Sequence, residues 1–207
     1  MENSTSARGH VYELLSLLYG VPGQALIGKG FLAPLRTDLG LCRPGLDREL
    51  RELESYLGGL HDVAPLETEY VRLFRGPGRS AVYPYESMHV DGEIMGPSTL
   101  SVLGAYRDGG LSPSADFKDL PDHVCAELEF MYYLCVMEQQ CEQQRDSLGR
   151  ASYRQLQDSF LAEHLALWIP GFVERILVNT SSPFYRGLAA LTRDFLGFEL
   201  SRTDALD

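Results

Sequence analysis

Residues 120–135 read LPDHVCAELEFMYYLC, and how they are read decides the architecture. A proline followed by an acid suits a helix entrance, where the first N–H groups lack intrahelical partners and attract negative charge. Counting from His123 at about 100° per residue, one broad face gathers Val124, Glu127, Leu128, Phe130, Met131, Leu134, Cys135, Met137 and Cys141. Asp122, Glu129, Tyr133 and Gln140 fall on the other side. A helix with so wide an apolar face packs into a core. His123 and Glu127 stand one turn apart at the N-terminal end of that face, and a carboxyl placed there needs partners. His123 is one candidate. The pair reads as half of a metal site, as an acid/base pair, as a recognition surface, or as a capped helix start with a satisfied core His and Glu and no further meaning.

The same periodicity runs outward in both directions. Val11, Leu15 and Leu18 form a stripe, with Ser4, Thr5 and Ser6 as candidate caps. GLDRELRELESYLGGL carries Leu46, Leu50, Leu53 and Leu57 on one side, and Gly58-Gly59 as its stop. APLETEYVRLF aligns Leu66, Tyr70, Leu73 and Phe74. Phe160, His164, Leu167 and Trp168 repeat that spacing ahead of Pro170, which is expected to break the helix. Ser182 suits a cap and Pro183 a first helical position before Phe184, Leu188, Leu191 and Phe195. Strand-like alternation is scarce. The fold class expected is all-α: a single globular helical bundle of two lobes over residues 1–207. Its N-terminal helical half covers about 5–75, a connecting loop about 76–97, and a C-terminal helical half about 98–197. That loop, RGPGRSAVYPYESMHVDGEIMGP, holds many turn formers and no sustained period. Its apolar residues Val82, Tyr83, Tyr85, Met88 and Ile94 argue for an ordered loop across the helices.

With 18 basic and 29 acidic residues, the formal charge of −11 disfavours a nucleic-acid binder, whose affinity needs clustered Lys and Arg. MENSTSARGH lacks the basic-then-apolar layout of a signal peptide, and no apolar run approaches the roughly 20 residues of a membrane span. Cys42, Cys125, Cys135 and Cys141 show no CxxC spacing, so they read as reduced, largely apolar thiols of a cytoplasmic protein. HVCAE supplies one imidazole where the metalloprotease H-E-x-x-H supplies two, so no metal or other cofactor is expected. RGPGRS lacks the phosphate-loop pattern and reads as a turn; Arg72, Arg75 and Arg79 read as a solvated basic patch. His164 reads as a core histidine, and His89, Asp91 and Glu93 as a polar loop edge. Small metal-dependent enzyme, using His123 and Glu127, and helical interaction domain remain as alternative function classes.

Several segments, in order, resemble the TorD/DmsD/NarJ family of molybdoenzyme-specific chaperones. EYVRLFRGPG (69–78) is similar to that family's Y-x-x-LF element, and VYPYESMH (82–89) to its P-x-ES segment. Gly96, Thr99, Val102, Tyr106 and Gly109 follow, and LPDHVCAELEFMYYL is similar to its P-D-H-x-x-x-EL-x-F-M. FLAEHLALWIPGFVERI and FYRGLAALTRDFL extend the likeness, which spans about residues 8–197. It implies a non-catalytic cytoplasmic chaperone. The implied partner is the catalytic subunit of a molybdoenzyme with a twin-arginine leader, whose export is held back until its cofactor is inserted. The implied client-binding residues are Leu73, Phe74, Pro84, Tyr85, Glu86, Ser87, Asp122, His123 and Glu127. Several relatives carry tryptophans near P-x-ES; here the only tryptophan is Trp168, and Tyr83 and Tyr85 stand in that neighbourhood. Independently, a receptor for two guanidinium groups and an apolar segment wants carboxylates beside an apolar groove. Glu86, Asp122 and Glu127 would supply the first, and Phe74, Tyr83, Tyr85 and Met88 the second. Burying about 600 Å² of apolar surface gives on the order of 15 kcal/mol gross; ordering the peptide consumes about half, which leaves micromolar binding. Either a monomer or a homodimer is compatible with two halves joined by a long loop.

Overall fold

The computed structural model describes residues 2–27, 32–42, 47–76, 82–112 and 119–204. Among them the regular elements are helical: α1 (Glu2–Tyr19), α2 (Ala33–Cys42), α3 (Asp47–Gly59), α4 (Ala64–Phe74), α5 (Glu86–Val90), α6 (Pro97–Asp108), α7 (Val124–Gln143), α8 (Ser147–Phe160), α9 (Ala166–Asn179) and α10 (Pro183–Asp204). The all-α expectation holds. A 3₁₀ turn at Gln24–Leu26 and a π turn at Leu161–Leu165 complete the set. No helix among the described residues is long and apolar enough to cross a membrane.

The helix of the opening stretch lies at the centre, with α1 along one side and α8 along another. Gly9 permits that approach, since a Cβ there would stand 3.1 Å from Cys135 Cβ. α10 packs on α3 and α9, and α4 joins through Phe74, whose ring lies 6.0 Å from Phe172 and 5.8 Å from Tyr185. Leu15 and Leu18, Leu50 and Leu53, Leu66 and Leu73, and Leu134 and Leu188 all enter one buried cluster, as their spacings require. Leu46 and Arg79 lie outside the described residues. Arg72 and Arg75 are occupied locally: Arg72 pairs with Glu69 at 2.6 Å, and Arg75 lies over the Tyr70 ring.

Four expectations change. Ser4, Thr5 and Ser6 lie inside α1, which already starts at Glu2, so they cap nothing. The stretch expected to be irregular contains α5, a helix of five residues, too short to display a period in sequence. Pro170 sits inside α9 and does not end it. A π turn lies just before it. Ala166 N–H donates to Leu161 O, five residues back, and the extra residue rotates the following face. Phe160, His164 and Trp168 are therefore buried together, whereas Leu167 is 61% exposed and leaves the stripe to which its spacing assigned it. Finally, His89, expected on a polar loop edge, belongs to α5 and packs on Trp168, whereas Asp91 in the turn beyond receives Ser98 N–H at 2.9 Å and so starts α6. Gly96 is required beside it, as a Cβ there would lie 2.7 Å from Asp91 Cβ.

A buried polar network ties the ends of the chain together. Arg8 holds Glu199 through Nε and Nη2, at 2.8 and 2.7 Å, and donates to Gln157 Oε1 at 2.9 Å. Tyr12 OH also donates to Glu199, and Gln157 Nε2 donates to Glu138 Oε2 at 2.9 Å. Four helices meet on these side chains. Replacing Arg8 with Leu removes the bidentate partner of the buried Glu199 carboxylate and leaves it Tyr12 OH and the more distant Arg202 Nε at 3.9 Å, so urea denaturation should show a loss of about 3 kcal/mol.

Candidate functional site

The P-x-ES and P-D-H segments form one structural unit. Tyr85 and His123 face each other as an isolated antiparallel bridge. Glu86 N–H donates to Asp122 O at 3.0 Å, and Val124 N–H donates to Pro84 O at 2.9 Å. Pro84 has no N–H, but here only its carbonyl is needed. Asp122 then does for α5 what α5 cannot do for itself: its Oδ2 accepts Ser87 N–H at 3.0 Å, satisfying a first-turn donor from outside the helix. Tyr106 OH, from α6, donates to Pro121 O at 2.7 Å and braces the same corner.

Three carboxyl groups are buried behind this pairing: Glu86, Asp122 and Glu127. His164, on the π turn, places Nδ1 at 2.9 and 3.1 Å from the two Glu86 oxygens and donates to that carboxylate. Trp168 Nε1–H donates to Glu127 Oε2 at 2.9 Å. Burial first, and the neighbouring Glu86 charge second, hold the Glu127 carboxyl well above the usual carboxylate range; the Trp168 bond pulls the other way and loses. Glu127 therefore favours its neutral form. Its Oε1, with Asp122 Oδ1 and Ser87 Oγ, has no hydrogen-bond partner among the described residues. On the far side of the indole the His89 ring lies 5.3 Å away, and its Nε2–H donates to Tyr83 O at 2.9 Å. Burial lowers the His89 pKa, so the imidazole is neutral as well.

His123 is occupied elsewhere. Its Nδ1 accepts Cys125 N–H at 3.1 Å, making the ring the N-cap of α7. Its Nε2 lies 4.0 Å from Asp119 Oδ2, and Tyr85 packs edge-on at 5.1 Å while donating its OH to Asp119 Oδ1 at 3.0 Å. Burial depresses the His123 pKa, with Arg75 acting in the same direction and Asp119 against it. The suggested His123–Glu127 partnership is thus absent: one side chain turns to the helix start, the other to Trp168. Without that pair the metal-enzyme alternative loses its starting point. No group of three or more His, Cys, Asp or Glu placed to hold a metal occurs among the described residues. Burial pushes the Cys125 thiol up to about 12, so it is no nucleophile at neutral pH.

Beside this corner runs an aromatic groove of about 430 Å³ between the end of α6 and the outer face of α7. Tyr106, Leu111, Pro121, Phe130, Tyr132 and Tyr133 line it, with Glu129 at its edge. Pro121 belongs both to the groove and to the Asp122–His123 turn, so the two features are continuous.

Of the residues that the sequence nominated, Leu73, Phe74, Pro84, Glu86, Ser87, Asp122, His123 and Glu127 are buried, and Tyr83 and Tyr85 are partly exposed. Pro84, Tyr85, Glu86, Ser87, Asp122 and His123 come together directly, and Glu127 joins them from beneath. Leu73 connects through its carbonyl, which accepts Val82 N–H at 2.9 Å, while Phe74 packs with Tyr70, Phe172 and Tyr185. Sequence reasoning missed Asp119, Tyr106 and the pairing of His164 and Trp168 with the acids. A signal existed for the last two: a histidine and a tryptophan on one apolar stripe each need a polar partner inside.

A helical bundle that draws together an aromatic groove and a buried acid cluster belongs to the class of binding proteins. The nitrate reductase delta subunit family matches residues 42–174. The chain belongs to that family, the TorD/NarJ group. A perchlorate reductase assembly chaperone protein of Dechloromonas aromatica is 29% identical over 201 residues, covering 94% of this chain and 88% of its own. A selenate reductase assembly chaperone protein of Thauera selenatis is 31% identical over 147 residues, 70% of this chain and 67% of its own. The chaperone protein TorD of Vibrio cholerae is 26% identical over 200 residues, 91% and 88% respectively. In fold, a crystal structure described as a redox enzyme maturation protein from Archaeoglobus fulgidus superposes with a TM-score of 0.55 at 22% identity, over 92% of each chain.

Removing the Asp122 cap should loosen α5 before it affects the bundle. Asp122→Ala is expected to cost about 1–2 kcal/mol and to raise amide exchange selectively in residues 86–90. Exchange that rises uniformly along the chain would contradict this local role.

Proposed function

We propose that this protein is a non-enzymatic chaperone for the catalytic subunit of a molybdopterin-containing oxidoreductase. It acts in the cytoplasm, binding the subunit's twin-arginine leader or its apo form while the cofactor is inserted. The family membership and the named functions of the relatives support the first part. The leader-binding part rests on one observation: the aromatic groove that continues into the Tyr85–Asp119–His123 corner.

The chemistry of such a leader fits these surfaces. An apolar segment would lie along Tyr106, Phe130, Tyr132 and Tyr133, where ring faces give large contact area at small entropic cost. Its guanidinium groups would meet Asp119 and Glu129, the carboxylates that reach solvent at the groove. The overall charge of −11 steers a basic segment inward, and salt weakens that steering. Leu73, Phe74 and Pro84 hold the corner from behind, and Ser87, Asp122 and His123 fix its backbone.

The test is titration of a synthetic leader carrying two arginines before an apolar stretch, alongside an otherwise identical peptide with two glutamines. A dissociation constant near the micromolar range, about −8 kcal/mol, is expected for the first. Glu129→Arg and Tyr132→Glu should each weaken it by about tenfold, or 1.4 kcal/mol, with less effect of Glu129→Arg at high salt. Equal binding of both peptides, or none, would remove the leader-binding reading. Affinity purification from the native host should meanwhile recover a molybdoenzyme catalytic subunit with its leader intact.

A further inference from the structure

The segment at 83–90 is closed over three carboxyl groups with only one imidazole, His164, to answer them. No lysine or arginine pairs with Glu86, Asp122 or Glu127 among the described residues. The groups facing Glu127 are Glu86 on α5, Asp122 before α7, Tyr106 on α6 and Trp168 on α9. His164 reaches it through Glu86, and His89 lies against the other face of the Trp168 ring. A buried site with that balance of charge does not favour three ionised carboxylates. Asp122 Oδ2 accepts a backbone N–H, and His164 Nδ1 stands 2.9 Å from Glu86 Oε2. Glu127, fully buried, has only an indole donor on Oε2.

We propose that a proton on Glu127 is the catch that keeps α5 closed, and that opening of the 83–90 segment releases this proton to solvent and uncovers an acidic site for a guanidinium group. In the closed form the carboxyl is neutral and Trp168 donates to its Oε2. On opening, water reaches Glu127, the O–H bond breaks, the proton goes to solvent, and Glu86, Asp122 and Glu127 stand exposed as three carboxylates. A client arginine then takes the place that the proton held; this last step rests on the leader-binding reading. The catch itself does not.

The sign of the pH dependence follows from the direction of the shift. Glu127 binds its proton more tightly closed than open, so the closed form is favoured at low pH and loses ground as pH rises toward the closed-state pKa. Each pH unit in that window raises the opening equilibrium up to tenfold. His89 and His123, both lowered by burial, are already neutral above pH 7 and contribute nothing there.

The experiment is amide exchange of residues 82–90 in the full chain between pH 5 and 9, corrected for intrinsic exchange, with emission of Trp168, the chain's single tryptophan, followed in parallel. In wild type the opening equilibrium should climb with pH, by up to tenfold per unit at its steepest, while the emission shifts to the red. Glu127→Gln keeps an oxygen for Trp168 but has no proton to lose, so both readouts should be flat. Since Glu127→Gln retains His164 and Glu86, the difference between the proteins isolates Glu127. Opening that is independent of pH in wild type overturns the proposal without any variant. Parallel slopes in wild type and Glu127→Gln overturn it too. Glu86→Gln, which removes the nearest negative charge, should shrink the slope, and an unchanged slope counts against the catch. A leader peptide that binds should release close to one proton, seen as buffer-dependent heat; a leader that does not bind ends the chaperone-site reading while the client-free measurements still decide the catch.

Discussion

The geometry of the site depends on the pairing of Pro84–Glu86 with Asp122–Val124, two hydrogen bonds and a side-chain cap that join segments 35 or more residues apart. A helix of five residues has no stability of its own, because nucleation costs more than one turn of hydrogen bonds returns. α5 exists because Asp122 supplies an acceptor to its first turn and because α9 covers its side. The same Asp122 is buried before α7 begins, where the next residue, His123, caps that helix with its own ring. One acidic side chain thus sets the start of α5 while its neighbour sets the start of α7. Tyr85, Glu86 and Ser87 have their directions fixed as a consequence.

From this constraint the burial of the acids follows. Once Tyr85 is bridged to His123, Glu86 opens α5 with its carboxyl turned inward to His164. The inward position is tolerable because the π turn delivers His164 to it. A regular helix through residues 160–168 would carry Leu167 inward with the stripe; the additional residue in the turn turns Leu167 out and brings both His164 and Trp168 to the acids. Pro170, which has no N–H to give, lies in the turn that follows, and the helix survives it. The irregularity in α9 and the ordered carboxyl cluster are two views of one adjustment, in keeping with the occurrence of π turns at functional sites.

The helices, their order and most of their buried faces were legible because a period of 3.6 residues repeats within each of them: Leu50, Leu53 and Leu57, or Leu188, Leu191 and Phe195, need no knowledge of distant chain. α5 was illegible for the opposite reason, being shorter than two turns. Asp122 was assigned to the solvent side by a helical projection that does not apply to it, since it lies in the turn that precedes the helix. The partners of the polar residues were beyond reach of any local pattern. Glu86 meets His164 across 78 residues, Glu127 meets Trp168 across 41, and Arg8 meets Glu199 across 191. Sequence spacing tells which residues share a face; it does not tell which faces meet. The resemblance to a chaperone family brought the P-x-ES and P-D-H segments together where periodicity alone could not.

The buried acids also bear on what kind of binding this surface supports. A receptor with three exposed carboxylates in one place would repel itself and attract any cation, so an open acidic site carries a standing cost. Covering the site with α5 and leaving one carboxyl protonated removes most of that repulsion. What stays exposed is Glu129 at the edge of the aromatic groove, with Asp119 partly exposed at the Tyr85–His123 corner. A basic, apolar segment can engage these carboxylates first, at a rate set by long-range charge. On the leader-binding reading, deeper engagement would require displacing α5, which is attached by two backbone hydrogen bonds, one cap, the His164 contact and its packing on α6 and α9. On that reading, a lid held by mutually dependent contacts over an acidic floor would discriminate by charge at the final step, because only a ligand that brings cations would replace what closure provided.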